Sequence, residues 1–181
     1  MENELNLKGS FVDGKWFDEG KSLSIINPAT GKVLFEVKIV PKNILDQAVA
    51  GAKKAQKEWA KINIKDRAKK ILQLCDIAEK NLETYAKIDC YNVGNTIRFA
   101  RNDIKSAIKN VKYFCDHVDE IKDETFSNKI NHSNITKYQP YGIVLKINAF
   151  NRPFRWCLEK LAAPLLMLSL IHISEPTRPL Y

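Results

Sequence analysis

The 181-residue sequence has little cysteine and no arrangement of it that binds metal. Cys75, Cys90, Cys115 and Cys157 are widely spaced, with no C-x-x-C pair and no histidine at ligand spacing. That excludes a disulfide scaffold and a zinc site. Arginine is scarce, only 6 of the 29 basic residues, and no block of five or six like charges occurs. The net charge of +8 therefore comes from dispersed lysine. It lacks the arginine fork that grips phosphate and base edges, so no nucleic-acid partner is expected. Long apolar runs are missing too. The longest, Leu161 to Ile173, contains Pro164 and His172 and falls short of the about 20 residues of a membrane span. The opening MENELNLKGSF holds no apolar core segment. No signal peptide and no membrane partner are expected, and the cytoplasm is the expected location.

What is present is ordinary globular material, 45% hydrophobic and 28% charged, in a length suited to one domain or one and a part. Phe11-Val12-Asp13-Gly14-Lys15-Trp16-Phe17 places Asp-Gly between apolar and aromatic residues, a two-residue hairpin signal. Asn27-Pro28-Ala29-Thr30-Gly31 reads as a second turn, and Val33 to Val40 as a strand. Three helices are expected next. Asn43 is the expected N-cap of the first, which carries Ile44, Ala48, Ala52, Ala55 and Trp59. The second carries Ala68, Ile71, Leu72, Cys75, Ala78, Leu82 and Tyr85 and ends at Gly94. The third runs from Ala100 through Ile104, Ala107, Ile108, Val111 and Cys115 to Val118. Lys53, Lys57, Lys65 and Lys69 fall between the stripes and read as solvated faces.

Asp123 to Asn134 reads as a polar loop, and Ile135–Gln139 and Ile143–Ala149 as strands parted by Pro140-Tyr141-Gly142. Phe150-Asn151-Arg152-Pro153 then forms a turn, with Pro153 at the first position of a helix carrying Trp156, Leu158, Leu161, Ala162 and Leu165. Spacing alone makes Asn151 a cap for that helix. The fold class is α/β: a β hairpin and three helices leading into the strand–turn–helix that opens a βαβ crossover. No strand is expected after this last helix, so the parallel sheet looks unfinished.

In this order and spacing, INPATGKV at 26–33, DQAVAGAKKAQKEWAK, KDRAKKILQLCDIAEKN, the Gly94 turn and YGIVLKINAFNRPF resemble the N-terminal part of the aldehyde dehydrogenase superfamily. The resemblance covers about Phe11 to Met167. It implies an incomplete Rossmann-like cofactor domain and NAD or NADP as cofactor. It implies oxidation of an aldehyde to a carboxylic acid, or to a thioester in some branches, through a cysteine thiohemiacetal and thioester. It places Asn151 as the side-chain donor to the oxyanion, and Asn148, Ala149 and Phe150 against the cofactor. Ala149 stands where a proline is usual, Phe150 where many members have tryptophan, and Arg152 is unusual. Asn95 and Asp89 also depart from the common pattern and receive no role. No metal is implied, the full-length enzyme is expected to be a homo-oligomer, and the Asp123–Pro140 region matches the part that forms an intersubunit sheet.

The nucleophilic cysteine, the general-base glutamate and most cofactor contacts of the family lie downstream of the resembling region. Cys157 matches no catalytic position and reads as a packed thiol. The chain itself is therefore expected to be inactive, and loosely packed in isolation. After LAAPLLM the family pattern stops. Leu168 to Arg178 resembles the translation of a transposon-end sequencing adapter, so 168–181 are expected to be a non-native tail after a partial cofactor-binding domain at 1–167. The alternative reading is a short non-catalytic binding or regulatory protein of the same descent.

Overall fold

The computed structural model describes residues 9–120, 124–128, 132–136, 139–168 and 170–174. The Asp-Gly hairpin forms as expected. β1 (Ser10–Val12) and β2 (Lys15–Phe17) pair antiparallel, with Val12 opposite Lys15. Asp13 and Gly14 both take positive φ, 46° and 80°, as the tightest hairpin turn demands. β3 (Lys21–Ile26) pairs antiparallel with β4 (Val33–Ile39) across the Asn27–Gly31 turn. β3 was not anticipated. Its signal is the alternation of Leu23 and Ile25 with serines, in a segment with one half-exposed face.

Helices form the body of the chain. α1 (Lys42–Trp59) starts one residue before Asn43. Its cap is Pro41, whose carbonyl accepts from the Ile44 and Leu45 N–H groups. Asn43 therefore lies within the first turn and does not cap. The long second helix divides into α2 (Ile64–Lys80) and α3 (Leu82–Val93). Asn81 leaves helical geometry at the joint, and its side-chain amide bonds back to the Ile77 carbonyl at 2.9 Å. Such local capping is how asparagine competes with a continuing helix. α4 (Ile97–Asp116) is capped by Thr96, whose hydroxyl accepts from the Phe99 N–H. One 3₁₀ turn, Val118–Glu120, follows it.

α2 and α4 pack through small side chains, with Ala68, Ala78, Ala100 and Ala107 all buried. Ile104, Val111 and Cys75 fill the space between them. This is the expected use of the stripes, and Cys75 and Cys115 are buried core residues as anticipated. A smaller core of Val12, Ile44 and Ala48 ties β1 to α1.

Two segments read from sequence as loop or tail form strands. β5 (Glu124–Asn128) and β6 (His132–Thr136) pair antiparallel, so most of the expected polar loop is a hairpin. Thr125, Phe126, Ile135 and Thr136 are residue types favoured in strands. Of the expected strand Ile135–Gln139, the first two residues belong to β6, while Lys137 and Tyr138 lie outside the described residues.

β7 (Ile143–Ile147) leads through the Asn151 turn into α5 (Pro153–Glu159) and α6 (Ala162–Leu166). The single helix expected here breaks at Lys160–Leu161. Pro164 explains the break, because its ring lacks an N–H and clashes with the carbonyl four residues back. β8 (Leu170–Ser174) then pairs parallel with β7, Ile143 opposite Leu170. This corrects the expectation that no strand follows. Ile171 and Ile173 are strong strand formers, and the open edge of β7 is a template for any such segment.

Gly94 ends α3 in the left-handed region, φ 81°. A Cβ there would lie 2.8 Å from Pro28 Cγ, in the Asn27–Gly31 turn. Gly94→Ala is expected to cost about 1–3 kcal/mol from backbone strain, with added cost from the clash. A urea titration checks this; an unchanged midpoint contradicts it.

Candidate functional site

The end of β7 and the start of α5 gather every site residue expected from sequence. Asn148, Ala149, Phe150 and Asn151 follow the last strand residue in order, and Pro153 opens the helix. Ala149, Phe150 and Asn151 are exposed, and Asn148 is half-buried. A cleft of about 490 Å³ opens beside Asn148 and Ala149, lined by these two, Trp156, Lys160 and Pro164 together with residues 144–147 of β7. The carboxyl end of a parallel strand is the usual place for a ligand in an open α/β sheet.

Asn151 does not cap α5. The capping position is Arg152, without a side-chain cap bond. Instead Asn151 Oδ1 accepts from the Trp156 indole N–H at 3.2 Å, and the Asn151 carbonyl accepts from Asn95 Nδ2 at 3.2 Å. Asn95, to which the family pattern assigns no role, thus holds the turn backbone. Its only sequence signal is its place directly after the Gly94 helix stop, which aims it away from α3.

Beneath the turn lies a set of charged groups that sequence reasoning also missed. Asp103 of α4 is buried, and Oδ1 accepts from Arg152 Nη1 at 3.2 Å and Arg155 Nη1 at 3.1 Å. Arg155 Nε also donates to Glu159 at 2.9 Å. The Arg152 guanidinium lies 4.7 Å from the centre of the Phe99 ring, a cation–π contact. Asp89 of α3 is buried and faces the Phe154 backbone N–H, one of the free donors of the first turn of α5. Tyr85 stacks on Phe154 with ring centres 4.6 Å apart. The available signal was position. Asp89 and Asp103 sit on buried helix faces, and Asp103 falls between Ala100 and Ala107 on the α4 stripe. An acid there needs a partner.

Lys146 supports the strand side. It projects from β7 to the carbonyls of Trp156 and Cys157, and burial pulls its pKa down. Burial pushes the Cys157 thiol up, against the effect of Lys146. Cys157 is half-buried.

The aldehyde dehydrogenase family profile matches residues 16–171, most of the chain. The chain belongs to the aldehyde dehydrogenase family. An aldehyde dehydrogenase of Aspergillus niger is 30% identical over 148 residues, covering 80% of this chain and 30% of that protein. The D-glyceraldehyde dehydrogenase (NADP(+)) of Thermoplasma acidophilum is 26% identical over 159 residues, covering 86% of this chain and 32% of its own length. The betaine aldehyde dehydrogenase of Staphylococcus aureus, solved in complex with NAD+, superposes with TM-score 0.84 at 22% identity, covering 93% of this chain and 35% of that one. This chain thus spans about a third of the length of these relatives. The family match runs to residue 171, a few residues beyond the Met167 limit of the resemblance seen in the sequence.

Asp89 gives a pH test of the scaffold under the turn. Burial raises its pKa from 3.8 to about 6, the Phe154 N–H opposing and Asp103 adding to the rise. The folded protein therefore holds the Asp89 proton more tightly than the unfolded chain does. The resulting stability is fully present below about pH 4 and is lost as pH rises toward about 6. Asp89→Asn keeps an acceptor for Phe154 and removes the titration. Between pH 4 and 7 the variant is expected to lose about 1–3 kcal/mol less stability than the parent sequence. Parallel pH–stability curves for the two in urea melts contradict this.

Proposed function

We propose that this chain supplies the N-terminal, cofactor-facing part of an NAD(P)-dependent aldehyde dehydrogenase that oxidises an aldehyde to a carboxylic acid. Asn151 is its oxyanion donor. The observation that carries this reading is the Asn151 amide. It stands exposed just past the carboxyl end of β7, free of any capping duty, with its oxygen already engaged.

The chemistry asks for a neutral donor that is in place before charge develops. When a thiolate adds to an aldehyde carbonyl, the carbonyl oxygen becomes an alkoxide. An amide N–H₂ stabilises it without giving up a proton and without reorganising. The residues lining the cleft suit a dinucleotide: the Asn148 amide, the small Ala149 and the Lys160 ammonium, with the exposed Phe150 ring next along the chain. Asn148, Ala149 and Phe150 would hold the nicotinamide cofactor. The chemistry such a cofactor would supply is a hydride acceptor beside the substrate carbon. Water supplies the second oxygen of the acid.

The nucleophile and the general base lie outside this chain, and the chain alone is inactive. Two observations support that. It spans about a third of its relatives, and the outer face of β7 is bare, with Leu145 61% and Ile147 68% exposed. Parallel sheets are ordinarily covered on both faces. Residues 168–181 are a non-native tail that begins close to where the family match ends, at 171. Adapter codons at Leu168–Arg178 in the nucleotide sequence support this, and unrelated codons refute it. The full-length enzyme self-associates in the cytoplasm, with the β5–β6 hairpin at the intersubunit sheet. No helix among the described residues is long and apolar enough to cross a membrane.

In the full-length enzyme, Asn151→Ala is expected to lower kcat by about 10²–10³, the typical loss of one oxyanion donor, with cofactor affinity held. An unchanged kcat overturns the assignment. The 181-residue chain is expected to produce no reduced nicotinamide from any aldehyde; turnover by the chain alone contradicts its inactivity.

A further inference from the structure

We propose that Trp156 is a positioning residue that sets which end of the Asn151 amide faces the substrate. The inference rests on the reading of Asn151 as the oxyanion donor. The two ends of an asparagine amide have nearly the same shape and opposite chemistry: Oδ1 only accepts and Nδ2 only donates. Rotating the amide by half a turn would present oxygen lone pairs to the developing alkoxide, which repels where it should attract. Something must therefore select one orientation.

Trp156 does so because an indole N–H donates and never accepts. It lies 3.2 Å from the near end of the amide, and that end must then be Oδ1. Nδ2 is left on the far side, where it meets no acceptor among the described residues. The indole is itself fixed. It projects from the first full turn of α5, where the Trp156 backbone N–H donates to the Arg152 carbonyl at 3.0 Å. The Arg155 guanidinium and the Lys160 ammonium stand 5.6 Å and 5.4 Å from the ring centre, within cation–π range. Asn95 holds the Asn151 backbone from the other direction, through its carbonyl. Backbone and amide oxygen are thus both occupied, and the free donor is the one the reaction needs. Phenylalanine at 156 would keep the ring and lose the selection.

The test uses the full 181-residue chain labelled with ¹⁵N, with circular dichroism as the check on folding. Trp156→Phe removes the donor, and Asn151→Leu removes the acceptor. In the parent sequence the Trp156 indole proton is expected to exchange about two- to tenfold more slowly than in Asn151→Leu, the range for one neutral hydrogen bond. The Asn151 side-chain amide signals are expected to shift in Trp156→Phe. If Trp156→Phe does not fold, the indole exchange in Asn151→Leu still reads the same bond. Equal indole exchange rates overturn the proposal, as do unmoved Asn151 signals in a folded Trp156→Phe. In the full-length enzyme, Trp156→Phe is expected to lower kcat about two- to tenfold with aldehyde KM unchanged. A rise in KM at constant kcat makes Trp156 a binding residue only and overturns the proposal. A full-length enzyme with no turnover before substitution defeats the dehydrogenase reading, while the two exchange measurements still decide whether the bond exists.

Discussion

Everything about the turn at Asn151 depends on how it is fastened to the helical layer below. The fastening is the buried Asp103 carboxylate of α4, shared by Arg152 and Arg155. An exposed ion pair contributes little, because water and side-chain entropy cancel most of it. A buried one is different in kind. Its net contribution to stability can be small, yet removing one partner leaves a charge that has no solvent and no mate. Its effect is therefore to forbid other arrangements of the turn. Two arginines, one on each side of Pro153, converge on one oxygen, and α5 can occupy few positions that satisfy both. Asp89 adds a second point of attachment by facing the Phe154 N–H, and the Tyr85–Phe154 stack closes the gap between α3 and α5.

The same turn is reached by a separate route from the N-terminal β segment. The Asn27–Gly31 turn presents Pro28 to Gly94, so closely that a side chain at 94 would collide with it. Gly94 stops α3, and the next residue, Asn95, bonds the Asn151 carbonyl. Two of the modest pieces of the family pattern, N-P-A-T-G and the Gly94 turn, are thus physical neighbours. One contact passes to the next until it arrives at the Asn151 backbone carbonyl. α1 joins from the other side of the unit, where Trp59 Nε1 donates to the Leu165 carbonyl at 2.8 Å and Gln56 donates to Leu168 at 3.0 Å.

Much of this was legible in the sequence, because it rests on local rules. Asp13-Gly14 can form only a tight hairpin, Gly94 suits a helix stop, and the Ala/Ile stripe of α4 has the period of a helix with one buried face. The site residues 148–151 were found through family resemblance, since spacing alone favours Asn151 as a cap. What stayed hidden was non-local. Asp103 reads as one polar residue in an apolar stripe until Arg152 and Arg155, about fifty positions later, arrive beside it. Asn95 cannot be paired with Asn151 from sequence for the same reason. The break at Asn81 was missed because the apolar stripe continues in phase across it, and β8 was missed because its apolar residues read as the end of one longer run. The β5–β6 hairpin is polar and carries no apolar alternation, so its pairing has no sequence signature to read.

The central claim is that the Asn151 turn and the helical layer beneath it are one mechanical unit. Hydrogen exchange at the Phe154 and Trp156 backbone amides tests it most directly. Phe154 N–H faces the buried Asp89 carboxylate and Trp156 N–H is bonded to the Arg152 carbonyl, so both are expected to be protected to the same degree as Ile104 and Ala107 in α4. All four should lose protection together as denaturant is added. Free exchange at Phe154 and Trp156 while Ile104 and Ala107 stay protected would show that the turn moves independently, and would contradict the claim.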